Sequence, residues 1–161
     1  MVTVDAAELI SSLADAGQTV AIAESLTGGA VSAALIAPAG ASAVVRGAVV
    51  AYDTELKASL LGVDRDLLDS EGPVHPEVAR QMAIGVRVAL ATSGGAATIG
   101  IATTGVAGPA SQGGREPGTV FVAISHGDAV EVREANLAGD RSAVRAATVD
   151  LALEMLGNIP R

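Results

Sequence analysis

The chain has 161 residues, within the roughly 100 to 200 typical of one domain, and 50% of them are hydrophobic, enough for one core. Ten Lys and Arg against eighteen Asp and Glu give a net charge of -8 with no basic run, which argues against nucleic acid and anionic membrane surfaces as partners. Cysteine is absent, so disulfides, thiolate nucleophiles and Cys-based metal sites are excluded and any nucleophile is an oxygen or an amine.

Residues 4–16 place Leu9, Ile10 and Leu13 on one helical face, with Gly17 as the stop. Thr19 to Ala23 is an apolar run too short for a helix. It meets a tight turn, Glu24 to Gly29, and an Ala-rich stretch from Ala30 to Ala37, so strand, turn and helix are expected. Gly47 to Tyr52 reads as a buried, valine-rich strand, and Thr54 as the cap of a short helix through Leu61 that contains Lys57. Gly62 to Val74 reads as a turn-rich link, and Pro76 opens a helix to about Thr92 with Val78, Met82, Val86 and Leu90 at helical spacing. Ala97 to Ala102 is a strand, and Thr103 to Pro117, rich in glycine with two prolines, a loop. Thr119 to Ser125 and Val130 to Leu137 form a hairpin, and a last helix runs from near Asp140 to Gly157.

This order predicts an α/β fold, a single-domain α/β/α sandwich over residues 1–161 with a mixed, mostly parallel sheet. Ligands of such sheets bind beyond the carboxyl ends of the strands, which directs attention to the loops at 24–29, 52–57 and 103–117. The first residues show no positive segment leading into an apolar one, and no apolar run reaches the roughly 18 residues of a membrane span. A cytoplasmic protein is expected.

Of the ten basic residues, nine are arginines and one is a lysine, Lys57. An arginine is effectively never deprotonated, whereas a buried lysine can become a base. Five residues upstream stands Tyr52, the only tyrosine. Ser25 lies at a strand-to-helix turn near amides able to hold an oxyanion or a phosphate, although a capping serine is the plainer reading of that pattern alone. Thr104 and Gly105 end the next strand, where glycine permits close approach of a ligand. No Walker sequence and no G-x-S-x-G elbow occurs, and His75 and His126 have no partner at metal spacing.

Ala23-Glu24-Ser25-Leu26-Thr27-Gly28-Gly29, Gly47 to Tyr52 running into Glu55-Leu56-Lys57 and Leu60 to Val63, Thr104 to Pro109 with Pro117 to Val120, and Gly139-Asp140-Arg141 together resemble the CinA C-terminal domain family over about residues 5–157. The resemblance implies a nicotinamide-nucleotide amidohydrolase of the PncC type, which hydrolyses nicotinamide mononucleotide to nicotinic acid mononucleotide and ammonia. It carries the family's serine and lysine onto Ser25 and Lys57 and its tyrosine onto Tyr52. Substrate-binding roles are expected for Glu24, Thr27, Gly28, Gly29, Thr104, Gly105 and Arg141, with no cofactor and no metal. Backbone amides at Thr27 to Gly29 or at Thr104 and Gly105 are the alternatives for the oxyanion hole. The family implies a homo-oligomer, here as a stand-alone domain. The chain departs from the family pattern at Leu26, at Asp53-Thr54 and in the loop from Ala110 to Glu116, and the last two bear on substrate preference. A non-catalytic nucleotide-binding or competence-associated module of the same fold is the alternative.

Overall fold

The structure, a computed structural model, describes residues 4–160. Helix α1 (Ala6–Asp15) starts where Asp5 accepts the Ala7 amide, and Gly17, at φ 65, turns the chain into strand β1 (Val20–Glu24). Helix α2 (Ala30–Ile36) follows, then a 3₁₀ turn at Ala41–Ala43, strand β2 (Val45–Val50) and helix α3 (Thr54–Leu61). Helix α4 (Arg65–Glu71) and helix α5 (Pro76–Ala89) precede strands β3 (Ile99–Gly105), β4 (Thr119–His126) and β5 (Ala129–Asn136), and helix α6 (Arg141–Gly157) closes the fold.

The sheet order is β2-β1-β3-β4-β5. β1 pairs in parallel with both β2 and β3, whereas β3–β4 and β4–β5 are antiparallel, so four strands point one way and β4 alone is reversed. Helices cover both faces. On one face Val20, Ile22, Ile99, Ile101, Val122 and Ile124 meet α1, α2 and α6. On the other the strands present small residues, Ala21, Ala23, Ala102 and Ala123, to α3, α4 and α5. The small residues are a steric requirement, because a Cβ on Gly100 of β3 would fall 1.9 Å from the Ala83 carbonyl oxygen of α5.

Four expectations are corrected. The link at 62–74 contains α4, whose seven residues carry three acids, too short and too polar for a periodic apolar face to register. β2 is an edge strand with every second residue exposed, not a buried one, because nothing among the described residues pairs beyond it. It also ends at Val50, which leaves Tyr52 outside the strand. Asp53, not Thr54, caps α3 by accepting the Glu55 amide at 2.8 Å. Finally, β3 runs on through Thr103 to Gly105, read as loop, because β4 supplies partners out to Gly105↔Val120.

Candidate active site

β1 and β2 end at the same level, with Glu24 paired to Val50 and the Ala51 amide donating to the Glu24 carbonyl at 2.8 Å. Ser25 is therefore set beside Ala51 at the carboxyl end of the parallel strands. The turn after Ser25 is tight because Gly28 (φ 60) and Gly29 (φ 98) take left-handed backbone open to glycine at little cost. Lys57 lies in the first turn of α3, and helical side chains lean toward the N-terminus of their helix. Its chain thus reaches back over the strand ends. Nζ lies 3.2 Å from Ser25 Oγ and donates to the Ala51 carbonyl oxygen at 2.6 Å.

Lys57 is 1% exposed. Burial pulls its pKa down from 10.5 to about 8, against the opposing pull of the Asp53 carboxylate, which favours the charged form. A lysine with this environment is part neutral near pH 8. Its charged form donates to Ser25 Oγ, and on losing a proton the same 3.2 Å contact can reverse, with the hydroxyl donating to the amine.

A cavity of about 140 Å³ opens over this pair, and Ser25, Lys57, Tyr52, Gly105, Gln112 and Arg141 are among its walls. Arg141, at the start of α6, donates to the Gly108 carbonyl at 2.9 Å and to the Tyr52 hydroxyl at 3.2 Å, tying three segments together at the cavity mouth. Tyr52 is 61% exposed and bonded to Arg141 rather than to Ser25 or Lys57. Its hydroxyl therefore stands at the mouth, outside the hydrogen bonds that join the serine and the lysine.

The other anticipated binding residues divide. Gly105 lines the cavity. Thr104 is buried and donates its hydroxyl to the Pro73 carbonyl at 2.7 Å, outside the cavity wall. Glu24 is fully buried, and its carboxylate accepts the amides of Gly29, Val31 and Ser32 at 3.0, 3.1 and 2.8 Å. Of the amides at Thr27 to Gly29 that the sequence reading left for a ligand, that of Gly29 is taken by the carboxylate one residue before Ser25. The Gly28 amide donates to the Ser25 carbonyl, and Thr27 Oγ1 lies 2.8 Å from Thr103 Oγ1. Glu24, Gly28 and Gly29 therefore build the serine turn and lie off the cavity wall, and the Thr27 side chain is held in that turn by Thr103.

Three groups escaped sequence reasoning. Thr103 Oγ1 accepts the Ser25 amide at 3.4 Å, the Ala51 carbonyl orients Lys57, and Arg145 of α6 donates to the carbonyls of Leu26 and Thr27. Thr103 was visible within a conspicuous loop motif, but nothing local distinguishes Arg145 from the other arginines.

The family profile described as the CinA C-terminal domain matches residues 3–159. The chain belongs to the CinA C-terminal domain family. It is 44% identical over 146 residues to a CinA-like protein of Frankia casuarinae, a match spanning 88% of this chain and 33% of that protein. The chain thus spans about a third of the length of the curated relatives it matches. Among solved CinA structures, it is similar to the competence/damage inducible protein CihA from Agrobacterium tumefaciens, with a TM-score of 0.85 and 35% identity over 95% of this chain and 94% of that one. A CinA superfamily protein from Escherichia coli superposes with a TM-score of 0.89 at 27% identity, covering 99% of this chain and 91% of that one. The CinA fold and the order of its motifs are therefore those that the sequence led us to expect.

Proposed function

We propose that the domain is an amidohydrolase that cleaves the carboxamide of nicotinamide mononucleotide with Ser25 as nucleophile and Lys57 as base. The observation that carries this reading is the buried Lys57 Nζ, 3.2 Å from Ser25 Oγ, with its pKa lowered to about 8. That distance allows direct proton transfer, and that pKa leaves a usable fraction of neutral amine near neutrality.

Ser25 Oγ attacks the carboxamide carbon while its proton passes to Lys57 Nζ. The tetrahedral adduct collapses as Lys57 returns that proton to the nitrogen, and ammonia leaves. A water then attacks the acyl-serine, Lys57 taking its proton, and the carboxylate product departs with Ser25 restored. The Ala51 carbonyl holds the lysine in place throughout. Arg141 uses two N–H groups on Gly108 and Tyr52, so its remaining donors are available to a substrate phosphate at the cavity mouth. The exposed ring of Tyr52 lies beside it.

The test is ammonia release from nicotinamide mononucleotide by the wild-type domain, run beside Ser25→Ala. Release by the wild type and none by the variant is the expected result. Turnover retained in Ser25→Ala would remove the nucleophile, and a folded wild type inert toward this substrate would remove the substrate assignment.

A further inference from the structure

The turn that carries Ser25 is clamped from behind by one guanidinium. Arg145 Nε donates to the Leu26 carbonyl at 2.9 Å and Nη2 to the Thr27 carbonyl at 3.1 Å. In a trans peptide the N–H points opposite the C=O of the same unit. The two units whose carbonyls converge on Arg145 must therefore send their N–H groups, those of Thr27 and Gly28, out on the other side. The Gly28 amide confirms the direction by landing on the Ser25 carbonyl at 3.1 Å. The Thr27 amide, leaving on that same side, has no acceptor among the described residues, nor has the amide of Leu26, which lines the cavity. Leu26 and Thr27 are 3% and 0% exposed. Buried backbone amides without a partner are rare in folded proteins, and here two adjacent ones follow the serine.

We propose that the amides of Leu26 and Thr27 form the oxyanion hole and that Arg145 is the positioning residue that aims them. The inference rests on the Ser25 nucleophile proposed above. When Ser25 Oγ bonds to a carbonyl carbon, the C=O π pair moves onto oxygen and the serine proton moves to Lys57. The new oxyanion lies next to the serine turn and takes these two N–H groups. Arg145 acts on the Leu26–Thr27 unit in two ways. It fixes the peptide plane, and its charge on the Leu26 oxygen polarises the same unit, so that the Thr27 N–H becomes a stronger donor. Among the alternative amides, Gly28 and Gly29 are engaged within the turn and Thr104 in the β3–β4 pairing, whereas Gly105 sits opposite Val120 in a non-hydrogen-bonded pair, its N–H directed away from β4. Thr103, which holds both the Ser25 amide and the Thr27 hydroxyl, supports the turn from the β3 side.

The test uses an activated ester, p-nitrophenyl acetate, so that it does not depend on the natural substrate. The rate of acetylation at Ser25 is followed by p-nitrophenolate release, with the site confirmed by mass spectrometry and Ser25→Ala as the background. Arg145→Met and Arg145→Lys are compared with wild type, and circular dichroism verifies their folding. The Met variant is expected to slow acetylation by about 10- to 100-fold, short of the loss from deleting a donor outright, and the Lys variant by less. The pH midpoint of acetylation stays at the wild-type value in both, because Lys57 is untouched. Rates within twofold of wild type in both variants would overturn the proposal. So would a slowing that comes with a shifted midpoint, since the effect would then run through Lys57. A wild type that is not acetylated at Ser25 would instead overturn the nucleophile, and this inference with it.

Discussion

Replacing Lys57 with methionine isolates the free energy stored in its burial. The side chain is 1% exposed and its pKa falls from 10.5 to about 8 through desolvation. The sign follows from proton binding. Between pH 8 and 10.5 the unfolded chain holds a proton at this site that the folded one has released, so stability rises with pH across that window. Below it both states are charged, and the folded state carries the whole burden of an ammonium held away from water. The lowering is worth about 3 kcal/mol at neutral pH and under 1 kcal/mol at pH 10. Methionine has a similar shape and no charge. It forfeits the hydrogen bonds to Ser25 and Ala51, but that loss varies little with pH. The stability of Lys57→Met relative to wild type should therefore drop by about 2 kcal/mol between pH 7 and pH 10. Urea unfolding followed by circular dichroism at both pH values measures this directly, and the absence of tryptophan makes dichroism the better probe than fluorescence. A difference that stays flat with pH would refute the buried-lysine reasoning, and one of opposite slope would place a carboxylate partner on the lysine.

The same titration should appear in catalysis: turnover rises with pH as Lys57 loses its proton and levels above about 8, and a pH-rate profile without an inflection near there would count against a lysine base. Lys57→Arg should abolish turnover at every pH while the protein remains folded, because a guanidinium does not give up its proton in this range; residual activity rising with pH would contradict it. Glu24→Gln keeps the shape but offers one acceptor oxygen where three amides converge, and turns an NH₂ toward backbone donors. Urea unfolding should show a loss of about 2 to 3 kcal/mol, and a loss within error of zero would mean that the carboxylate is not needed there. Gly100→Ala places a methyl 1.9 Å from the Ala83 carbonyl oxygen, so α5 must lift from the sheet. A destabilisation above about 3 kcal/mol is expected in thermal melts, and an unchanged midpoint would show that the helix has room to move.

What the sequence by itself determined was the set of elements with a local cause. Leu9, Ile10 and Leu13 share one face of α1 because of helical period, Pro76 opens α5 because its fixed φ suits a first turn, and the glycines at 28 and 29 end the strand-to-helix run. Ser25 at a strand end and Lys57 in a short helix were visible for the same reason, and the order of motifs led to the family. Helix α4 was missed because about two helical turns leave too short a pattern. The exposure of β2 was misread because Val-rich composition is shared by central and edge strands, and only the sheet order separates them.

Everything about how the site works was decided in three dimensions. Lys57 is buried because α3 returns over the ends of β1 and β2 and α5 closes beneath it; its own helix has no apolar stripe that would announce this. Glu24 was expected to meet substrate and instead holds the start of α2, since a carboxylate enclosed at a strand end takes the nearest free amides. Tyr52 was placed with the serine and lysine, yet the end of β2 at Val50 turns it outward to Arg141, 89 residues away. Arg145 reaches Leu26 and Thr27 across 119 and 118 residues. Partners this distant leave no trace in local composition or period. They follow from which helix lies over which strand end, and the packing of the two cores sets that.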